Sequence, residues 1–128
     1  MTSPTRIQRK RTRGWRMPEG CVSVVRPSRW GNPYIVVPCA TPVYRGQFAV
    51  VRDDELMDWP NSLEISQELA VKRFRRDLED GLLAFTVDEV RRELRGKTLA
   101  CWCPLPAPGE PDLCHAAVLL AVAAGARQ

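Results

Sequence analysis

The 128-residue chain lacks several features that mark common protein classes. It has no stretch of about 18 apolar residues, so we do not expect it to cross a membrane. Its basic N-terminus is not followed by the apolar segment of a secretory signal, and an odd number of cysteines, five, cannot all pair. We therefore expect a cytoplasmic protein with reduced thiols rather than a secreted disulfide scaffold.

Histidine is the scarcest ionisable residue, and the single one, His115, directly follows Cys114. Cys101 and Cys103 lie upstream in a Cys-Trp-Cys-Pro run, so three thiols and one imidazole fall within fifteen residues. Both kinds of group are ligands that zinc prefers. The spacing differs from the paired C-x₂₋₄-C of zinc fingers, and two adjacent helical ligands would point in different directions. An iron–sulfur cluster would need one of the two other cysteines as a fourth thiolate.

The same residues also suit covalent chemistry. Cys103 or Cys114 would be the catalytic nucleophile and His115 would assist it, because the thiolate is the reactive form of cysteine. Asp112 is a good N-cap, and a helix starting there would lower the pKa of the Cys114 thiol in its first turn. Three interpretations therefore stay open: a catalytic thiol, a set of buried free cysteines, or a zinc site formed by Cys101, Cys103, Cys114 and His115.

Acidic residues are absent from the first 16 positions, which carry five arginines and one lysine. The rest of the chain carries 13 basic and 15 acidic residues, so the net positive charge comes from this end alone. We call residues 1–18 the basic arm. Such an arm suits phosphate, either on a nucleotide or in a nucleic acid backbone. A solvated tail without a partner would have the same composition.

A second polar and aromatic group follows the first predicted strand, in the sequence Arg-Pro-Ser-Arg-Trp-Gly-Asn-Pro at residues 26–33. Arginine suits phosphate, tryptophan offers a stacking face for a base, and asparagine can hydrogen bond to a base edge. The alternative is a rigid turn whose tryptophan fills the core, with Arg29 anchored by Glu19 or Asp112. The predicted ligand-binding residues are Arg16, Arg26, Arg29, Trp30 and Asn32.

The pattern of apolar residues predicts strands at 20–26, 34–37, 43–51 and 97–102. Helices are predicted at 62–80 with Asn61 as its N-cap, from the Thr86 capping box to Gly96, and at 112–124. This order of elements predicts a small single α/β domain over residues 1–128, in which helices cover a short sheet. An α+β arrangement is the alternative.

Four segments resemble a family of domains of unknown function that is found in bacteria and their phages. They are the arm at 6–18, the Trp-Gly-Asn-Pro loop at 26–33, the Cys-Trp-Cys-Pro strand at 95–104 and the Cys-His-Ala segment at 114–116. The resemblance implies that these segments belong to one domain, and it implies no particular activity. This chain has a longer link between the two cysteine motifs, and Ala117 stands where the family commonly has an acidic residue.

These observations predict a protein directed at a nucleotide or nucleic acid through phosphate, with no membrane partner. The Cys/His residues and the Trp-Gly-Asn-Pro loop are expected to line one cleft. Three classes of function fit. The first is an enzyme that uses thiol or zinc chemistry on a nucleobase-containing substrate, and the second is a nucleic-acid-binding module with structural zinc. A phage-type interaction protein with a purely structural cluster is a third.

Overall fold

The protein is described by a computed structural model that covers residues 5–26 and 28–125. Within these residues the chain forms one small domain of three α-helices and two three-stranded sheets. The elements in chain order are β1 (Arg6–Gln8), β2 (Cys21–Ser23), β3 (Ile35–Pro38), a 3-10 helix (Pro42–Tyr44), β4 (Phe48–Arg52), β5 (Glu55–Asn61), α1 (Leu63–Glu79), α2 (Val87–Leu94), β6 (Thr98–Cys101) and α3 (His115–Ala123).

The first sheet is parallel and has the strand order β1-β6-β2. Its central strand, β6, is the most buried, with Leu99 and Ala100 fully inaccessible to solvent. Ile7 of β1 lies opposite Ala100, and Val22 of β2 lies opposite Leu99. The sheet therefore fixes part of the basic arm directly against the strand that leads into the Cys-Trp-Cys-Pro run.

The second sheet is antiparallel, with the order β3-β4-β5. Its central strand buries Val50. This side chain packs against Tyr34, just before β3, and against Ala70 of α1, and the three form a small separate core. The strand β5 is at the edge of the sheet and contains Pro60, which is tolerated there because an edge strand can lose a ladder hydrogen bond. That proline is also the reason why the sequence pattern does not predict β5.

The helix starts follow from local capping, with two corrections to the sequence prediction. The side chain of Ser62 accepts a hydrogen bond from the Ile65 amide, so Ser62 caps α1 and the prediction of Asn61 is wrong. Asn61 is the last residue of β5 instead. Thr86 caps α2 as predicted, because its side chain accepts from the amide of Glu89.

The last helix, α3, begins at His115 with Cys114 as its N-cap, so the predicted start at residue 112 is wrong. Asp112 does not cap it, because its carboxylate binds the guanidinium of Arg6. Cys114 has extended backbone angles, φ −132° and ψ 140°. The thiol of Cys114 consequently lies at the junction of loop and helix rather than within the first turn.

The main core lies between the first sheet and the three helices. Phe74 and Leu78 of α1, Leu94 of α2 and Leu119 of α3 are nearly inaccessible to solvent and pack together with Leu99. In the described part of the chain, no helix is both long and apolar enough to span a bilayer. The cytoplasmic location stays a prediction.

Four of the six strands correspond to predicted ones, namely β2, β3, β4 and β6. The segment predicted as a strand at 43–51 is a strand only from Phe48, because a 3-10 helix occupies Pro42–Tyr44. Neither β1 nor β5 was predicted. The mixture of a parallel and an antiparallel sheet in one domain fits both the α/β prediction and its α+β alternative.

Candidate functional site

The three cysteines of the C-terminal third meet at one point. The sulfur atoms of Cys101, Cys103 and Cys114 all lie within 4.8 Å of one another, and those of Cys101 and Cys103 are 3.8 Å apart. We call these three residues the thiol cluster. The strand β6 ends at Cys101, Cys103 lies in the bend that follows it, and Cys114 is the N-cap of α3. The predicted convergence is therefore confirmed, and the cluster could bind one metal ion.

His115 lies beside the cluster but is not one of its closely spaced members. Its Nε2 atom is 2.8 Å from the carbonyl oxygen of Val24, so Nε2 must carry the proton and donate it. The other nitrogen, Nδ1, is then free to accept, and it is 3.9 Å from the sulfur of Cys114. Burial lowers the pKa of His115, which keeps the ring neutral.

The three thiols lie close enough to shift one another's pKa values. The pKa of Cys101 is lowered well below its usual range, because the thiols of Cys103 and Cys114 hydrogen bond to its sulfur. The pKa values of Cys103 and Cys114 are raised, because each thiol is hydrogen bonded to Cys101 and a second negative charge beside that sulfur is unfavourable. The lowered pKa expected for Cys114 at a helix N-terminus is thus wrong, since neighbouring thiols outweigh the helix.

Arg6 ties together the two chain segments that carry the cluster. Its guanidinium donates to the carbonyl oxygens of Cys103 and Pro104, at 2.7 and 2.9 Å, and pairs with both carboxylate oxygens of Asp112, at 2.8 and 2.7 Å. Burial opposes its charge, but the hydrogen bond to Asp112 and the nearby thiols raise the pKa of Arg6 above its ordinary value. Arg6 therefore belongs to the framework of the site, not to a solvated arm.

A cavity of about 270 Å³ opens onto the thiol cluster. All three cluster cysteines and His115 line it, together with apolar side chains from the loop after β2, from β3, from α1 and from the loop before α3. Arg26, Asn32, Tyr34 and Gln67 supply polar groups to the same wall. The Cys/His residues and the Trp-Gly-Asn-Pro loop thus share one cleft.

The loop residues divide into two groups. Arg26 and Asn32 line the cavity, and the guanidinium of Arg26 donates to the carbonyl of Asn32 at 2.9 Å. The side-chain amide of Asn32 is engaged with the fold, since it donates to the carbonyl of Ala70 and accepts from the amide of Tyr34. Trp30 is 6% exposed and packs against Phe85 in the core.

Arg29 is paired, and not with the acids that the sequence suggested. Its guanidinium binds the carboxylates of Glu89 and Glu93 on α2 and stacks on the ring of Trp30 at 4.4 Å. The expected partners Glu19 and Asp112 are therefore wrong, because the loop turns Arg29 towards α2. Arg16 is exposed, and neither residue lines the cavity. Their roles in ligand binding stay predictions.

A family model described as a domain of unknown function (DUF4326) matches residues 7–125. The chain belongs to this family. The match runs from β1 to the end of α3, so the arm strand, the loop and the thiol cluster are all parts of the family domain. Searches of curated proteins and of solved structures found no match.

Two residues beside the site were not predicted as functional. Arg6 was counted with the basic arm, since a single arginine before Ile7 gives no sign that it will be buried. Trp102, which lies between Cys101 and Cys103, lines the cavity and also contacts the arm. Its position in the Cys-Trp-Cys run is the available signal, because a residue between two candidate metal ligands lies next to their site.

Proposed function

We propose that this family member binds one zinc ion through Cys101, Cys103 and Cys114, and that the ion serves a small nucleobase-containing ligand held in the adjoining cavity. The observation that carries the proposal is the convergence of the three thiols at the wall of a cavity lined by polar groups. A purely structural cluster has no need of such a cavity.

The sulfur geometry favours a single ion. Two ligands of a tetrahedral zinc, each bonded at about 2.3 Å, are roughly 3.8 Å apart. The Cys101 and Cys103 sulfurs have this separation already, and Cys114 lies within reach of the same centre. An iron–sulfur cluster distributes its thiolates over different irons, which needs sulfurs farther apart. Zinc is also the ion that three thiolates bind without a change of redox state.

Three protein ligands would leave the fourth position of the zinc to water or to a ligand, as in catalytic zinc sites. The chemistry that zinc supplies is Lewis acidity and a bound water with a lowered pKa. No aspartate or glutamate is among the described residues that line the cavity. The carboxylate that serves zinc deaminases as general acid and base therefore has no counterpart on this wall, and His115 is the only titratable nitrogen base there.

The polar wall is suited to recognising a base. The guanidinium of Arg26 and the amide of Gln67 can hydrogen bond to ring nitrogens and exocyclic groups, and the apolar surfaces of Val36 and Val71 can cover the ring faces. A cavity of about 270 Å³ suits a nucleobase-sized group rather than a folded polymer. In this proposal Arg26 contacts the ligand, and Asn32, the other predicted ligand-binding residue of the cavity, lines the same wall while its side-chain amide holds Ala70 and Tyr34 in place.

Cobalt substitution provides the test, because Co²⁺ in a thiolate site absorbs visible light and reports on its fourth ligand. We expect the spectrum of the Co²⁺ protein to shift when members of a panel of nucleosides and nucleotides bind. Arg26→Ala should weaken that response while leaving the cobalt–thiolate absorption intact. A cobalt–thiolate spectrum that no member of the panel changes would contradict the proposal.

A second candidate function is a nucleic-acid-binding module with a closed structural zinc site. The orientation of His115 favours it, because zinc-bound histidines commonly donate their other ring N–H to a backbone carbonyl, as Nε2 does to Val24. Closure would bring Nδ1 from its place near Cys114 onto the ion. A Co²⁺ spectrum that changes in His115→Ala but not with nucleotides would favour this candidate.

A further inference from the structure

Two arginines of the arm lie on the ring of Trp102. The guanidinium carbon of Arg9 is 4.5 Å from the ring centroid, and that of Arg11 is 4.2 Å from it. Lys10 and Gln8 line the same surface groove. Backbone bonding fixes the groove in place, because the amide of Arg9 donates to the carbonyl of Cys101 at 2.8 Å. These cations are thus held on the strand that carries the thiol cluster.

Among the described residues, no carboxylate pairs with the cations of this groove. Arg6, Arg29, Arg52 and Arg73 all pair with carboxylates, whereas the salt bridges of the described residues include none to Arg9, Lys10 or Arg11. Holding like charges together is unfavourable unless an anion joins them, and the face of an aromatic ring offsets only part of that cost.

The protein satisfies the guanidinium of Arg9 only in part. The Nε atom of Arg9 is buried and has no hydrogen-bond partner among the described residues. The other end of this guanidinium donates to the hydroxyl of Ser23 at 3.2 Å. Because Nε is closed to solvent, a phosphate would bind this side chain through the terminal nitrogens of the guanidinium, the group best suited to a phosphate oxygen.

The groove and the cavity are neighbours. Trp102 lines both of them, and the residues on either side of it in the chain are the cluster cysteines Cys101 and Cys103. A ligand that extends from the cavity over Trp102 would place its next group against Arg9 and Arg11. In a nucleotide, the group that follows the base and sugar is phosphate.

We infer that Arg9, Lys10 and Arg11, assembled on Trp102, form the phosphate subsite for the ligand whose base enters the cavity. That the base enters the cavity rests on the proposed function, whereas the groove is formed by residues of the basic arm and Trp102 whatever the cavity binds. The phosphate is that of a nucleotide, either free or within a single strand. A base in an intact duplex would not reach the cavity, because it is stacked and paired.

The first test measures binding of a short oligodeoxythymidylate and of thymidine 5′-monophosphate to the full-length protein as salt is varied. The double variant Arg9→Gln/Arg11→Gln should lose on the order of tenfold in affinity for the oligonucleotide, and the salt slope should fall by about 0.7 for each phosphate contact removed. The matched control is Arg45→Gln/Arg75→Gln, which removes the same charge from exposed positions outside both the groove and the cavity.

A second pair of variants tests whether phosphate binds at a defined site on Trp102 or is attracted only by the general positive charge of the arm. Trp102→Leu changes no charge, so electrostatic attraction alone predicts unchanged affinity for the oligonucleotide. Loss of the ring on which Arg9 and Arg11 lie should instead weaken that binding severalfold. Trp59→Leu is its control, because that indole is 73% exposed on β5 and lies outside the groove. Metal content and thermal melts of each variant show whether the fold has been kept.

The outcomes are distinct. Selective loss in both test variants supports the subsite, and competition by the mononucleotide identifies a free nucleotide, whereas binding of the oligonucleotide alone identifies a strand. Equal loss of oligonucleotide affinity in the two double variants would overturn the phosphate subsite. Wild-type protein that binds neither the oligonucleotide nor the mononucleotide at low salt would overturn it as well. An unchanged cobalt response to nucleosides in Arg9→Gln/Arg11→Gln would show that the cavity proposal survives even if the phosphate subsite fails.

Discussion

At the scale of single residues, the site depends most on Arg6. Its side chain is 2% exposed and makes four hydrogen bonds that join β1 to Cys103, to Pro104 and to Asp112. These contacts join residues about a hundred positions apart in sequence. One guanidinium therefore holds together the two segments that carry the thiols. The residue acts through its neighbours rather than on a ligand.

Arg6→Ala should lower the free energy of unfolding by about 3 kcal/mol, because it leaves a partly buried carboxylate and two carbonyls without their donor. Arg6→Lys should recover little, since an ammonium cannot reproduce the planar fork. Urea denaturation measures both. Arg92→Ala, which removes a 70% exposed side chain with a 3.9 Å contact to Glu93, is the control and should change stability by less than about 0.5 kcal/mol. A loss as small for Arg6→Ala as for the control would contradict this role.

Arg29 is a contrasting case, in which several contacts carry little energy. Its partners Glu89 and Glu93 are 30% and 40% exposed, and its own side chain is 43% exposed. Arg29→Ala should therefore cost no more than about 1 kcal/mol in a thermal or urea melt. Affinity for nucleotides should stay within twofold of wild type, because the guanidinium is directed at α2. A large loss of binding with full stability would instead restore Arg29 to the ligand site.

At the scale of elements, the helix α2 depends on its cap. Thr86 supplies the side-chain oxygen for the Glu89 amide, and Gly96, at φ 77°, ends the turn after the helix. Thr86→Ala should destabilise the protein by about 1 kcal/mol, whereas Thr86→Ser should keep most of the stability because serine caps equally well. Chemical denaturation distinguishes them. Equal losses in the two variants would mean that the methyl group, not the cap, matters.

The elements also show what can be predicted from sequence. Helices α1 and α2 follow from apolar spacing and caps within a few residues, so local rules suffice for them. The strand β1 has no such signal, because Arg-Ile-Gln offers one apolar residue and its burial depends on Thr98–Cys101, more than ninety residues away. The start of α3 failed for the same reason, since the distant Arg6 removes Asp112 from the cap position.

At the scale of the whole molecule, the convergence of the thiols could be predicted because it follows from two local facts. Residues at i and i+2 of an extended segment share a face, and the end of a strand meets the start of a covering helix in α/β proteins. The strand itself is shorter than predicted and ends at Cys101, so Cys103 reaches the cluster from the bend that follows. The cavity could not be predicted, because its walls come from β3, α1 and the loop after β2, which meet only through tertiary packing. The paired state of Arg29 and the buried state of Trp30 likewise depend on tertiary contacts.

The central claim is that the thiol cluster binds one metal ion, and elemental analysis of untagged protein tests it most directly. We expect one zinc per chain in the wild type, complete loss in Cys103→Ser, and full retention in Cys39→Ser, which alters a free cysteine outside the cluster. Removing the zinc should also lower the melting temperature, since binding and folding free energies are coupled. Wild-type protein without metal, or a Cys103→Ser variant that keeps a full equivalent, would contradict the account.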